Sequence, residues 1–318
     1  MSKIIAIDVS KQTLDVAYLI EEKWQHFTTT NDLKGFKKIA KLAESGDWYV
    51  MEASGPYYLP LATYINNQSL NVSVVNPLII KRFSQMKLYR AKTDKKDAKT
   101  IAEYGLNNEL VKWNKAGECI IELQQLLTAT ELLHKHLSQS KGQLEAFTSS
   151  GELSNELCKY MKSMINSHKK MIAKLEGRLK ELANKHYKET LECLQSITGI
   201  GIKTAIQLTI ITDNFKKFEN YKQLIAYVGL SPRIYQSGTS VKGKGHICKM
   251  GNSQVRKLLY MCSWTAKKCN CGCKEMYDRL KAKGKPERVI KIAIANKLLK
   301  QAFAIATTQT MYKENYIR

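Results

Sequence analysis

Nowhere in its 318 residues does the chain hold a run of roughly 18 apolar residues, so the sequence offers no membrane-spanning helix. Its first residues, MSKIIAIDVSKQ, also lack the apolar core of a signal peptide. The expectation is a cytoplasmic protein with no membrane partner. No internal repeat is present. The eight cysteines (119, 158, 193, 248, 262, 269, 271 and 273) fall at irregular spacings, which points to reduced thiols and not to a disulfide framework. In the cluster Cys262, Cys269, Cys271 and Cys273, the C-x-C-x-C pairs lack the gap of two to four residues that lets two thiolates share one tetrahedral zinc ion. His134 and His136 lie two apart on a predicted helix and face away from each other. The most telling deficit is in acids. There are 28 Asp and Glu against 51 Lys and Arg, a net charge of +23. Such a field attracts polyanions, and with no apolar membrane element, nucleic acid is the leading partner.

What is present suggests about two domains, each able to bury its own core. "KIIAIDVS", "QTLDVAYLI" and "WQHFTTT" alternate apolar and polar residues and predict a three-stranded antiparallel meander. A helix follows over 31–44, then a strand in "WYVMEAS", a helix near 57–66, a strand in "LNVSVV" and a helix from Pro77. This order predicts a mixed sheet covered by helices, an α/β domain over 1–115. From Cys119 to about Tyr187 the pattern is long helix. Leu123, Leu126, Thr130, Leu133 and Leu137 form one apolar seam, and Leu157, Met161, Met164, His168, Met171 and Leu175 form another, separated by "TSSG". A helical hairpin or coiled-coil dimerisation arm over 116–190 satisfies that spacing, as does an ordinary helical core. Residues 191–318 read as an all-α domain with glycine-rich interruptions. Within "LQSITGIGIKTA" is a turn of the helix-hairpin-helix kind, whose amides would grip backbone phosphate without reading sequence.

Between Lys81 and Lys99 stand eight basic residues, Lys81, Arg82, Lys87, Arg90, Lys92, Lys95, Lys96 and Lys99, against two acids, Asp94 and Asp97. A helix capped by Thr93 sets those two acids on one face. Taken alone they are first-turn acids favoured by the helix dipole. Two further acids change that reading: Asp8 inside the apolar strand "IIAIDVS" and Glu52 at the end of "WYVMEAS". An acid on a central strand is costly unless paired or bound to metal. Two strand acids with a helical pair supply the hard oxygen ligands that one or two Mg²⁺ (or Mn²⁺) ions require, and the surrounding lysines would hold phosphate backbone.

This order of acids resembles the RNase H-like fold in its resolvase (RuvC-like) variant. "IDVSKQTLDVA", "MEASGPY", "VVNP", "KTDKKDAKTIAEY", "ITGIGIKTA", "AYVGLSPRIYQSGTS" and "GNSQVRKLLY" together resemble, over nearly the whole chain, the insertion-sequence-110 family of DEDD transposases, which are bridge-RNA-guided DNA recombinases. The resemblance implies that Asp8, Glu52, Asp94 and Asp97 form a catalytic, metal-binding quartet. It also implies donor and target DNA and a structured guide (bridge) RNA as partners, and a dimer that pairs into a tetramer.

Residues 231–260 contain six Lys or Arg and no acid; Arg233, Lys242, Lys244, Lys249, Arg256 and Lys257 are nucleic-acid-binding candidates. The stretch 233–257 reads as a flexible, polar, basic loop. It is no P-loop, because Lys244 is followed by glycine and no strand precedes it. A serine beside glycine can approach a phosphodiester closely. The residues alone do not rank Ser237, Thr239 and Ser240. The resemblance implies that Ser237, in the Ser-Gly pair, is the nucleophile that becomes esterified to DNA, with Tyr235 as the runner-up. Cys248 departs from the serine expected there and touches only local packing. Tyr57, Tyr58, Tyr89 and Tyr235 are candidates to stack on unpaired RNA bases. The rival expectation is a junction-resolving, metal-dependent endonuclease that uses water as nucleophile. Acids and serine lie far apart in sequence, so a composite site, assembled between domains or protomers, is expected.

Overall fold

β-Branched and aromatic residues alternating with polar ones favour extended chain, and the first thirty residues form β1 (Ile4–Val9), β2 (Thr13–Ile20) and β3 (Lys23–Thr30). The structure is a computed structural model that describes residues 2–89, 93–233, 236–237, 241–243 and 245–314. Next come α1 (Leu33–Ala40), β4 (Trp48–Glu52), α2 (Leu59–Asn67), β5 (Asn71–Val75), α3 (Pro77–Met86) and α4 (Asp94–Asn107). Their starts are written in the sequence. Asp32 caps α1 by accepting from the Gly35 amide at 2.9 Å, Asn76 caps α3 ahead of Pro77, and Thr93 caps α4.

The five strands lie in the order β3-β2-β1-β4-β5, with β2 antiparallel to β1 and β3, and β4 parallel to β1 and β5. Strand period two sends Ile5, Ile7 and Val9 to one face, where Phe36, Ile39, Leu61 and Ile65 of α1 and α2 cover them. Ile4 and Ala6 go to the other face, under Ile80 of α3 and Ile101 and Ala102 of α4. Gly105 is what lets α4 lie so close: a Cβ there would stand 2.7 Å from Ile4 Cγ2 and 3.2 Å from Val50 Cγ2.

Two compact units divide the chain, Met1–Lys115 and Ala116–Arg318. In the second, α5 (Glu118–Ser149) and α6 (Asn155–Gln195) pack as a helical hairpin. Its α5 seam follows the sequence expectation, with Leu123 and Thr130 buried. On α6 the expected Met161, His168 and Leu175 are half-buried, but part of the seam differs. Ile165, Ile172 and Leu179 are buried, whereas Leu157, Met164 and Met171 are 40%, 40% and 48% exposed. Steps of three and four fit both stripes, and the more rigid, β-branched isoleucines take the packed one.

The chain continues through α7 (Ile202–Ile211), α8 (Tyr221–Val228), the two-residue strands β6 (Pro232–Arg233), β7 (Gln236–Ser237), β8 (Val241–Lys242) and β9 (His246–Ile247), then α9 (Ser253–Cys269), α10 (Cys271–Ala282) and α11 (Glu287–Thr308). Leu194, Leu208, Leu224, Leu259, Ile294 and Leu298 belong to one core that joins these helices. At the turn into α7, Gly199 adopts φ +109°, and a Cβ there would meet Ala266 Cβ of α9 at 2.8 Å. The stretch expected as one flexible loop is in part ordered. β6 pairs with β9, β7 pairs with β8 inside them, and α9 begins at Ser253 behind an Asn252 cap. Apolar Ile247 packs on the core and anchors the outer pair. Among the described residues no helix is long and apolar enough to cross a membrane, and all eight cysteines are free.

Gly105→Val should force α4 away from Ile4 and Val50, lowering stability by about 1–3 kcal/mol. Thermal and urea unfolding of the variant should show an earlier transition; unchanged unfolding would contradict this packing.

Candidate metal centre and nucleic-acid interface

Asp8 alternates with Ile7 and Val9, so it points to the same face of the sheet as Ile4 and Ala6. On β4, Val50 belongs to that layer, and Glu52, two residues on, shares its side. Helix α4 runs back over these strands. Gly105, near its end, rests on Ile4 and Val50, so its first turn reaches toward the strand ends. Lengths agree: Gly105 back to Asp97 spans about 12 Å of helix, and Ile4 to Asp8 about 13 Å of strand. Four carboxylates from three elements thereby converge on one edge of the fold.

Electrostatics report the same convergence. Asp8 is half-buried and its carboxyl is pushed up from 3.8 to about 6, first by loss of solvent and then by the negative charges of Asp97, Glu52, Asp94 and Asp15. Glu52 accepts a hydrogen bond from Ser54 Oγ at 3.0 Å. Asp94 is exposed and Asp97 half-buried. No three His, Cys, Asp or Glu side chains among the described residues are drawn together at metal-ligand spacing. The acids are close enough to repel, and their donor set of carboxylate oxygens fits a hard divalent cation.

A fifth carboxylate was not singled out from the sequence. Asp15 pairs with Asp8 across β1 and β2, is 8% exposed, and accepts hydrogen bonds from Thr28 Oγ1 at 2.7 Å and His26 Nε2 at 3.1 Å. The signal was there, an acid inside the apolar strand "TLDVAYLI".

Lys81 and Arg82 on α3, Lys87 just after it, and Lys95 and Lys96 on α4 are all exposed. Arg90 and Lys92 lie outside the described residues. In the second unit Arg233, Lys249 and Lys257 are exposed. Arg256 is half-buried, and its Nη1 donates to the Val228 carbonyl at 2.7 Å at the end of α8, a structural bond that its sequence context did not reveal. Ser237 sits on β7, opposite Val241 of β8. Lys242 is on β8. Lys244, Tyr235, Thr239 and Ser240 lie outside the described residues.

A sheet of three antiparallel strands continued by two parallel ones, with acids on β1, β4 and the helix that crosses them, defines an RNase H-like fold. Residues 5–149 match the IS110-type DEDD family described as "Transposase", and residues 191–278 match "Transposase IS116/IS110/IS902 family". The chain is 30% identical over 317 residues to the "Pilin gene-inverting protein" of Moraxella lacunata, covering 96% of both chains. A protein of the same name from Moraxella bovis is 30% identical over 315 residues, again 96% of each. The "Insertion element IS110 uncharacterized 43.6 kDa protein" of Streptomyces coelicolor is 27% identical over 139 residues, 44% of this chain and 34% of that one. The chain belongs to the IS110 family of transposases, enzymes that process DNA. Among solved structures, "T. thermophilus RuvC in complex with Holliday junction substrate" is similar at a TM-score of 0.26 and 10% identity, covering 36% of this chain and 100% of that one.

The raised Asp8 pKa has a consequence for stability. The folded state holds the Asp8 proton more tightly than the unfolded chain does, so stability falls as pH rises from about 4 to about 6. At neutral pH, in a chelating buffer, Asp8→Asn is expected to be more stable than wild type by about 1–2 kcal/mol, once solvent screening is allowed for. The gain should vanish below about pH 4. Paired melting curves across pH test this, and a variant less stable than wild type at neutral pH would contradict the crowding of charge.

Proposed function

We propose that the protein is a DNA recombinase that exchanges strands between a donor element and a target through a covalent serine–DNA intermediate, under the direction of a structured guide RNA. The observation that carries this reading is the shared edge of Asp8, Glu52, Asp94 and Asp97, with the Asp8 carboxyl pushed up to about 6 first by burial and then by its acidic neighbours. Such a cluster is disfavoured without a counter-cation and suited to one. Asp8, Glu52, Asp94 and Asp97 would hold Mg²⁺ or Mn²⁺, which supplies charge neutralisation for a phosphodiester oxygen and acidifies a hydroxyl. Lys81, Arg82, Lys87, Lys95 and Lys96 bind the phosphate backbone and keep the strand in register without reading sequence.

Ser237 supplies the nucleophile. Its Oγ forms a bond to phosphorus and loses its proton, the P–O bond to the DNA sugar breaks, and the departing sugar oxygen takes up a proton. The phosphodiester energy is kept in the serine ester, so a hydroxyl of a second strand can attack it and rejoin the chain without ATP. A hydrolytic enzyme would leave a break instead. The full-length relatives are named for inverting a pilin gene. Inversion requires rejoining as well as cutting, and this favours strand exchange over the nuclease reading.

A guide RNA fits the +23 net charge, and base pairing would choose the sites while the protein holds backbone and shape. The family resemblance carries the choice of RNA, the dimer pairing into a tetramer on two DNAs, and the arm over 116–190 as its dimerisation element. The enzyme would work in the cytoplasm, on the nucleoid.

The test uses labelled DNA, protein loaded with its co-purified RNA, and denaturing gels. Wild type should carry label in a protein-linked band. Ser237→Ala should lose both adduct and joined product by at least about 10³-fold, a scale typical of a lost nucleophile. Tyr235→Phe should retain both. Cleavage by Ser237→Ala at the wild-type rate, with no adduct from wild type, would establish the water-using nuclease in its place.

A further inference from the structure

Trp264 on α9 stands apart from the other three tryptophans. Trp24, Trp48 and Trp113 pack against the cores of the first unit, whereas Trp264, in the second, is 48% exposed.

Its ring is nevertheless held in place. Lys291 of α11 sets its Nζ 3.3 Å from the ring centre, and the Lys267 Nζ stands 5.7 Å away. Both ammonium groups are tied to Glu287, at 3.3 Å and 2.6 Å, and the Glu287 carboxylate also accepts from the Tyr277 hydroxyl at 2.8 Å. The Lys291 side chain is only 6% exposed, so it lies beneath the indole, on the protein side. One face of the ring is thus taken by a cation, and the exposure belongs to the other face and the rim.

An indole is a large apolar surface, and burying it against a neighbouring helix is the stabilising choice. Here the fold supports the ring from below and leaves its upper face bare. The surroundings indicate what covers it. Lys257, Met261, Trp264 and Lys268 follow one another on α9 at steps of four, three and four, so they share one face, and all four are exposed. The strip is about 16 Å long. Neither Lys257 nor Lys268 has an ion pair or hydrogen bond among the described residues. Between residues 257 and 291 there are ten Lys or Arg against three acids, Glu275, Asp278 and Glu287. Under the ring two lysines meet one glutamate, which leaves a positive charge behind the aromatic face. An open strand of nucleic acid presents flat bases and a phosphate at each step, and an aromatic face between unpaired cations complements both.

We propose that Trp264 is a stacking platform for an unpaired base of single-stranded DNA, whose phosphates lie against Lys257 and Lys268 along α9. Bases within a duplex are already stacked on one another, so the platform selects strand that has been opened. The inference rests on the reading of the protein as a DNA enzyme and adds to it a contact in the second unit, away from the carboxylates. DNA is the occupant because the family acts on DNA.

Fluorescence anisotropy of the full chain at fixed salt, with two short DNA strands, tests it. One strand is oligothymidylate, and the other has the same backbone without bases. Wild type should bind the strand with bases about tenfold more tightly, the scale of one stacked base. Trp264→Ala should bring that strand down to the abasic level and leave abasic binding unchanged, and Trp264→Phe should keep part of the preference. Lys268→Glu should weaken both strands alike. Should Trp264→Ala melt early, wild type decides the matter: a strand carrying iodouracil should cross-link to Trp264 on irradiation. No preference in wild type, a preference that survives Trp264→Ala, or a cross-link placed elsewhere overturns the platform. A preference shown by RNA strands alone overturns the assignment to DNA. Failure to bind either strand or a duplex overturns the nucleic-acid reading itself.

Discussion

Negative charge crowded at the ends of β1 and β4, beneath the first turn of α4, is the constraint around which the first unit is built. Burial alone disfavours an ionised Asp8, and four neighbouring acids add to that penalty. The fold holds them together regardless. Register with β2 and β4 fixes which face Asp8 takes, the parallel step to β4 brings in Glu52, and the absence of a side chain at Gly105 allows α4 to lie close enough to deliver Asp97. On the proposed reading, stability is exchanged for a site that a divalent cation would relieve, a pattern common where proteins do chemistry on phosphate.

The lysines and arginines of the first unit follow from the same constraint. In the proposed function a carboxylate cluster would repel the phosphate backbone, and the exposed cations on α3 and α4 would offset that repulsion. The second unit has the opposite character. It buries a continuous apolar core along α5 to α11 and carries basic residues such as Arg233, Lys249 and Lys257 on its exposed surface. Residues 191–278 of it match the Transposase IS116/IS110/IS902 family.

Most of the fold was legible because its local signals agree. The strand and helix order of the first unit was legible from residue patterning, and Thr93 announced the start of α4. Asp8 and Glu52 stood out as acids where apolar residues were due. Other features were hidden for physical reasons. A seam on α6 through Ile165 and Ile172 and one through Met164 and Met171 have the same period, and only the partner helix decides between them. Arg256 reads as a phosphate contact until the fold turns its guanidinium to the end of α8. Asp15 repeats the Asp8 signal, and its significance appears only when the β1–β2 register sets the two side by side.

The central claim is that these acids form one cation site, and calorimetric titration with Mn²⁺ tests it most directly. Wild type should bind the ion near neutral pH with protons released as pH is lowered toward 6, the range in which Asp8 still holds one. Asp8→Asn and Asp97→Asn should each weaken binding by about 10-fold or more, a typical effect of losing a charged ligand. Equal, weak binding by all three proteins, with no proton release, would contradict the account.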